Sequence, residues 1–269
     1  MQPLITGEPA EGPAVFGIRL SGLDKPALTQ LLTAPLPKDA GVRLVATANI
    51  DHVRHLRHNE RFRDAYAHAY AATADGAPVA LYARLRGVKF PGRVPGPDLF
   101  VSLMHALRSD QHRPFFLVSQ TETGERLKKW LQDKGFAADA VTYECPPFGF
   151  ENDHECSARL AERIRGHKTT HLVMGVGAPK SEVWVHEWRR ELGDCYAFGI
   201  GAGVDFFVGS AARAPLWLQR LGLEWLWRLS REPRRLGSRY FMDALHFPAA
   251  VVDDLSGRWR SRDRRGASA

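Results

Sequence analysis

Short, continuous apolar runs recur along this chain, and a longer stretch of helical periodicity follows nearly every one of them. The runs fall at residues 43–47, 114–119, 140–145, 170–175 and 196–200, and a weaker alternation over 14–20 reads as a further short strand. A strand with no polar face has to be covered on both sides, as the strands of a parallel sheet are. Strand and helix in alternation therefore specify an α/β chain whose core is a Rossmann-like parallel sheet flanked by helices. Sheets of this kind collect ligands at the carboxyl ends of their strands. The residues that close each run are accordingly the first candidates for function.

The alternation stops near residue 212, and the charge changes there too. The formal net charge is +7. From Arg213 to the end there are twelve Arg, no Lys and six acids, a net of +6 that leaves +1 for the first 212 residues. We divide the chain into a flexible N-terminus (1–14), a Rossmann-like catalytic domain (15–212) and a basic, Trp/Arg-rich C-terminal appendage (213–269). Within the appendage, residues 216–229 are apolar around most of a helix; Arg220, Glu224 and Arg228 fall on one stripe, and Arg235 prolongs it past Pro233. Tryptophan beside arginine suits a bilayer interface, so the appendage is expected to be helical and membrane-associating, with packing onto its own body as the alternative. No segment reaches the roughly 18 consecutive apolar residues of a transmembrane helix. The N-terminus lacks the basic and apolar regions of a signal peptide, and a cytoplasmic chain is expected. Cys145, Cys156 and Cys195 are odd in number and lack CxxC spacing, which argues against a disulfide framework or a thiolate metal site.

Among the closing residues, Asp75 is the candidate general base. It ends an apolar segment and precedes Gly76-Ala77-Pro78; capping the helix that follows is its alternative role. Thr47 and Asn49 fall at the carboxyl end of the 43–47 strand. Arg93 stands between Pro91-Gly92 and Val94-Pro95-Gly96, and the fixed backbone suits either an arginine held toward a pocket or plain turn chemistry. His52, His55 and His58 drift around a helix already crowded with arginines, so a solvated basic face is expected there and not a metal site. The glycines of 199–203 lack GxGxxG spacing, which counts against a nicotinamide-dependent Rossmann oxidoreductase. A nucleic-acid-binding module would use the basic tail, but its tryptophans lie on an apolar helix instead of a stacking platform, and no nucleic acid is expected.

Taken in order, these motifs make the chain resemble the WecG/TagA/CpsF family of bacterial glycosyltransferases. The marks are Thr47-Ala48-Asn49, Ala74-Asp75-Gly76, Arg93-Val94-Pro95-Gly96 with Asp98-Leu99, Pro146-Pro147-Phe148-Gly149-Phe150, Gly177-Ala178-Pro179 with Glu182, and a tail running from Arg213-Ala214-Pro215 through Gly222-Leu223-Glu224-Trp225 to Glu232-Pro233-Arg234-Arg235. The resemblance implies an inverting, metal-independent and cofactor-free enzyme that moves a sugar from a UDP donor to a polyprenyl-diphosphate-linked saccharide. It would work peripherally at the inner face of the cytoplasmic membrane, in exopolysaccharide or cell-envelope polysaccharide synthesis. Relatives use N-acetylmannosamine, its uronate or glucose, and UDP-glucose and UDP-N-acetylmannosamine rank nearly equal here. It further implies Asp75 as base, Thr47, Asn49 and Arg93 as pocket residues, and Arg228 and Arg235 closing over the donor diphosphate. Arg239 stands where the family tends to carry another arginine, and Ser181 replaces the usual Gln beside Glu182. The residues agree with this chemistry. No Asp-x-Asp occurs, so arginine has to supply the charge opposite a departing diphosphate. A homo-oligomer is left open.

Overall fold

The computed structural model describes residues 9–259; the N-terminal stretch 1–8 and the last basic stretch 260–269, both part of the expectations above, lie outside the described residues. Six strands form one sheet in the order β2-β1-β6-β5-β3-β4, and every pairing is parallel. They are β1 (Arg43–Ala48), β2 (Ala71–Ala74), β3 (Pro114–Leu117), β4 (Thr142–Glu144), β5 (His171–Met174) and β6 (Tyr196–Gly199). Side chains alternate between the two faces, as the strand period of two requires. Val45, Phe116, Val173 and Phe198 pack with Leu28 of α1 (Lys25–Leu32), Leu103 of α5 (Gly96–Ala106) and Leu127 of α6 (Thr121–Asp133). Leu44, Phe115, Leu172 and Ala197 pack on the other face with Ile164 of α7 (His154–Gly166) and Trp184 of α8 (Lys180–Glu187). On that same face Ala46 and Ala48 of β1 and Ala72 and Ala74 of β2 meet Val53 of α2 (Ile50–His58), Phe62 of α3 (Glu60–Ala67) and Val79 of α4 (Ala77–Leu85). The parallel α/β architecture is the one the apolar runs specify.

Three local expectations are corrected. Residues 14–20 do not form a strand but a tight hairpin, in which Val15 and Ile18 exchange backbone hydrogen bonds of 3.0 and 2.8 Å. Consecutive positive φ values at Phe16 (53°) and Gly17 (76°) turn the chain, and Phe16 plugs the core against Tyr82 and Trp259. The basic stretch after Asn49 breaks at Asn59, which ends α2 and caps α3 by accepting from the Phe62 N–H at 3.1 Å. His58 and Arg61 are exposed, but much of its face is not solvated. Arg54 pairs with Asp243 at 2.7 Å and Arg57 with Asp253 at 2.9 Å, acids nearly two hundred residues distant in sequence that no local spacing signals.

The third correction concerns the tail. After the short helix α9 (Gly203–Phe207), residues 216–229 form two helices, α10 (Leu216–Arg220) and α11 (Glu224–Arg231). Gly222 separates them with φ at +73°, a left-handed conformation that ends a helix and favours glycine. Arg220 and Arg228 therefore do not share one helical stripe. Pro233 opens α12 (Pro233–Leu255), where its missing N–H costs no helical hydrogen bond. This long helix lies across α2 and reaches α4, so the tail packs on the body. No described helix is long and apolar enough to cross a membrane.

Candidate active site

The site grows from the way β2 ends. The backbone N–H groups of Asp75 and Gly76 both donate to the Ala48 carbonyl, at 2.9 and 3.2 Å, which bends the end of β2 over the end of β1. Gly76, not Asp75, is the N-cap of α4, and no side chain caps that helix. The Asp75 carboxylate is thus free of the capping role. Beside it, Asn49 caps α2: its Oδ1 accepts from the His52 N–H at 3.1 Å. With the oxygen committed there, the amide presents its N–H groups outward, and the Asn49 side chain hydrogen-bonds the Asp75 carboxylate.

Arg93 is fixed by its neighbours. The Val94 N–H donates to the Ala74 carbonyl at 3.0 Å, and the Thr73 hydroxyl donates to the Val94 carbonyl at 2.9 Å. These bonds lay the 90–95 loop along the last residues of β2 and carry Arg93 to the rim beside Asp75. Thr47 forms the floor. It is buried, and a Cβ on Gly96 would stand 2.9 Å from its hydroxyl oxygen, so the first residue of α5 rests directly on it.

The other wall comes from the tail. Arg93 donates from Nη2 to the Gln219 carbonyl at 3.1 Å, and a Cβ on Gly222 would come 2.6 Å from the Ala77 Cβ and 3.1 Å from Arg93 Nη1. Arg213 clamps the entry to this region, pairing with Asp98 at 2.6 Å and with Glu224 at 3.5 Å. Arg228 lies with its guanidinium 5.5 Å from the centre of the Phe206 ring. The charges of Glu224 and Arg228 both act on Asp75. Burial above all, and then Glu224, push the Asp75 carboxyl up to about 6, against the lowering influence of Asn49, Arg93 and Arg228. That value suits a group ionised at neutral pH yet basic enough to accept a proton.

The remaining sequence candidates sit elsewhere. Ser181 and Glu182 are enclosed under the floor, each 1% exposed. The Ser181 hydroxyl donates to the Gly177 carbonyl at 3.2 Å. Glu182 lies against Gly199, its Oε2 has no hydrogen-bond partner among the described residues, and burial pushes its carboxyl up to about 7. The phenol of Tyr66, hydrogen-bonded to His52 Nδ1 at 2.6 Å, feels both carboxylates, and burial together with their charge holds it well above the usual tyrosine range. Arg235 is exposed and pairs with Glu232. Arg239 stacks on Tyr240 at 5.3 Å, and its charge acts on Asp51, His52 and His55. The structure thus gathers Thr47, Asn49, Asp75, Arg93 and Arg228, with Arg235 and Arg239 outside the group. Sequence reasoning missed Glu224 as a partner of Asp75, although the residue stood among the marks of the tail beside the helix break at Gly222. A Cβ on Gly203 would collide with Ile200 and crowd Pro97, so the late glycines serve close packing.

Comparison with known proteins fits this geometry. A protein of Bacillus spizizenii named N-acetylglucosaminyldiphosphoundecaprenol N-acetyl-beta-D-mannosaminyltransferase is 27% identical over 212 residues, covering 77% of this chain and 78% of its own. A Staphylococcus aureus protein of the same name is 23% identical over 197 residues, 72% of this chain and 74% of its own. Residues 13–261 match the family described as Glycosyl transferase WecG/TagA/CpsF. A site of this make-up, on a match spanning nearly the whole sequence, makes the chain a glycosyltransferase and a member of the WecG/TagA/CpsF family.

Proposed function

We propose that the protein transfers a sugar, with inversion and without a metal ion, from a UDP-sugar to a saccharide carried on a polyprenyl diphosphate. The observation that carries this reading is Asp75, held by Asn49 at a strand's carboxyl end with Arg93 and Arg228 near it. In the reaction, an acceptor hydroxyl attacks the anomeric carbon from the face opposite UDP. Asp75 takes the hydroxyl proton as the new C–O bond forms, and the electron pair of the breaking bond leaves with the diphosphate. Arg93 and Arg228 stabilise that departing charge, an effect of the kind worth about 10²–10³-fold per donor. Arg235 joins them on release from Glu232, and Arg239 on release from the α2 side. Thr47 lines the floor under the donor sugar. Ser181 and Glu182 support that floor from beneath.

The names of the relatives favour N-acetylmannosamine over glucose as the donor sugar and undecaprenyl diphosphate N-acetylglucosamine as the acceptor. Such an acceptor stays in the bilayer, which supports a peripheral seat on the inner face of the cytoplasmic membrane through residues 213–269, with 15–212 as the catalytic domain. The product then belongs to an exopolysaccharide or a cell-envelope polysaccharide. The test is transfer by the purified full chain, with EDTA present, from UDP-N-acetylmannosamine and UDP-glucose to polyprenyl-diphosphate N-acetylglucosamine. Transfer from at least one donor at a rate EDTA leaves unchanged is expected. A divalent-metal requirement, or no transfer from either, overturns the reading.

A further inference from the structure

Helix α12 is amphipathic in an inverted sense. Phe241, Leu245, Pro248, Val252 and Leu255 recur at spacings of three, four and seven, which puts them on one narrow stripe, and all five are exposed. Its opposite face carries Asp243, Asp253 and Asp254, all buried. They pair with Arg54, Arg57 and Arg86 of the body, and Asp254 also accepts from the Tyr82 hydroxyl at 2.7 Å. The acids thus face inward, beside the buried Leu236 and Ala250, while the outward stripe is apolar where a helix that meets water would be polar.

The same sorting holds across the tail. Of its described acids, Glu224, Asp243, Asp253 and Asp254 are buried or half-buried against arginines, and Glu232 alone is exposed. The outward charge is arginine: Arg220, Arg231, Arg234, Arg235 and Arg258 are all exposed. An apolar surface studded with exposed arginines complements an anionic bilayer.

Helix α4 of the catalytic body continues this surface. Leu81 and Leu85, one turn apart, are 61% and 77% exposed, with exposed Arg84 between them. Both ends of α4 are tied to the tail: Ala77 touches Gly222, and Tyr82 and Arg86 hold Asp254. Leu221, itself 64% exposed, precedes the Gly222 that meets the start of α4, and exposed Leu255 follows the Asp254 that Arg86 holds at its end.

We propose that α4 is a membrane-seating element of the catalytic body, its Leu81 and Leu85 entering the same anionic bilayer surface as the outward stripe of α12. This extends, and rests on, the reading of residues 213–269 as membrane-associating. The consequence is orientation. Asp75 lies two residues before the start of α4, and nine helical residues span only about 13 Å. Seating α4 presents the mouth of the pocket to the lipid surface, where a diphosphate held by a membrane-embedded chain emerges.

The experiment is co-sedimentation of the full chain with phosphatidylglycerol/phosphatidylcholine vesicles and with phosphatidylcholine vesicles alone. Wild type is compared with Leu81→Asp/Leu85→Asp, with the milder Leu81→Ser/Leu85→Ser, and with Leu245→Asp on α12. Thermal midpoints within a few degrees of wild type certify the fold, since the leucines are exposed. Binding to the anionic vesicles should fall at least tenfold in the α4 Asp pair, less in the Ser pair, and comparably in Leu245→Asp. Wild-type binding by both α4 pairs, with Leu245→Asp weakened, overturns the role of α4 and leaves the tail reading intact. No binding by wild type overturns the tail reading itself. A change in oligomer size by light scattering, with vesicle binding unaltered, assigns α4 to a second copy of the chain and equally overturns the proposal.

Discussion

Two carboxyl groups sit at the same end of the sheet, Asp75 after β2 and Glu182 in the first turn of α8 after β5, and burial raises both, to about 6 and about 7. Their surroundings differ in kind. Asp75 receives a hydrogen bond from Asn49 and lies within reach of the charges of Arg93, Arg228 and Glu224, three groups delivered by a loop and by the tail. Glu182 presses on the backbone of Gly199 and has an oxygen with no partner among the described residues. A raised carboxyl is therefore no signature of catalysis by itself. What separates the two is company: Asp75 is half-buried among opposed charges, whereas Glu182 is a sealed group.

The largest expected effect separates them directly. Asp75→Asn removes the proposed base while keeping the side chain's shape, and transfer should fall about 10³-fold, within the range for a positioned general base, with UDP-sugar affinity within threefold of wild type. Glu182→Gln should leave kcat within threefold. Equal losses in the two variants, or transfer near wild type in Asp75→Asn, would erase the distinction. Gly222→Val comes next. A Cβ there has no room beside Ala77, and valine resists φ at +73°, so Glu224 and Arg228 lose their approach to Asp75. Transfer should drop about 10²-fold, as for a lost charge donor, while circular dichroism of the sheet and the environment of Glu182 stay as they are. A fully active Gly222→Val would detach the tail from the site.

Much of this was legible in the chain. The apolar runs give the parallel sheet, and the residues closing them give Thr47, Asn49 and Asp75, because a strand's end and a helix's start are local events with local signals. Arg93 was legible for its rigid flanks, although the bonds that aim it come from Thr73 and Ala74. The tail was not. Whether 216–229 is one helix or two depends on a single glycine at φ +73°, seated against Ala77 and Arg93, far away in sequence. The inward turn of Asp243, Asp253 and Asp254 depends likewise on arginines of α2 and α4. Arg235 and Arg239 stood out as motif positions, yet Arg235 pairs with Glu232 three residues before it, and Arg239 acts on the α2 face, a contact that spacing along one helix does not encode.

Glu182→Gln sharpens the sealed half of the comparison through stability. A carboxyl raised from 4.5 to about 7 binds its proton more tightly in the folded chain. Below the unfolded value both states are protonated and nothing is lost; as pH rises toward 7 the folded chain must give up the proton unwillingly, and stability falls. The shift corresponds to about 3 kcal/mol at full ionisation, an upper figure for a group that a water molecule can reach on relaxation. Glutamine never ionises. The variant's advantage in denaturant midpoint should thus be small at pH 5 and grow to pH 8. A constant difference, or one of the opposite sign, would mean that Glu182 is solvated or paired in solution.

The smallest effect probes the open half. Glu224 is the second cause of the raised Asp75 carboxyl, after burial, and it arrives on the tail. Glu224→Gln removes that repulsion and should lower the Asp75 pKa, leaving Asn49, Arg93 and Arg228 to favour the ionised form. Since the base must be ionised to work, the acid limb of kcat/KM should move to lower pH. The ratio of variant to wild-type rate then rises as pH falls from 7.5 to 5, while above pH 7.5, where Asp75 is ionised in both, the two rates differ by less than threefold. An acid limb that stays in place would show that the tail reaches Asp75 without setting its charge. A shift in the same direction in Glu182→Gln would show that the sealed carboxyl is coupled to the site through Tyr66, and the two halves of the pocket floor would have to be treated as one titrating system.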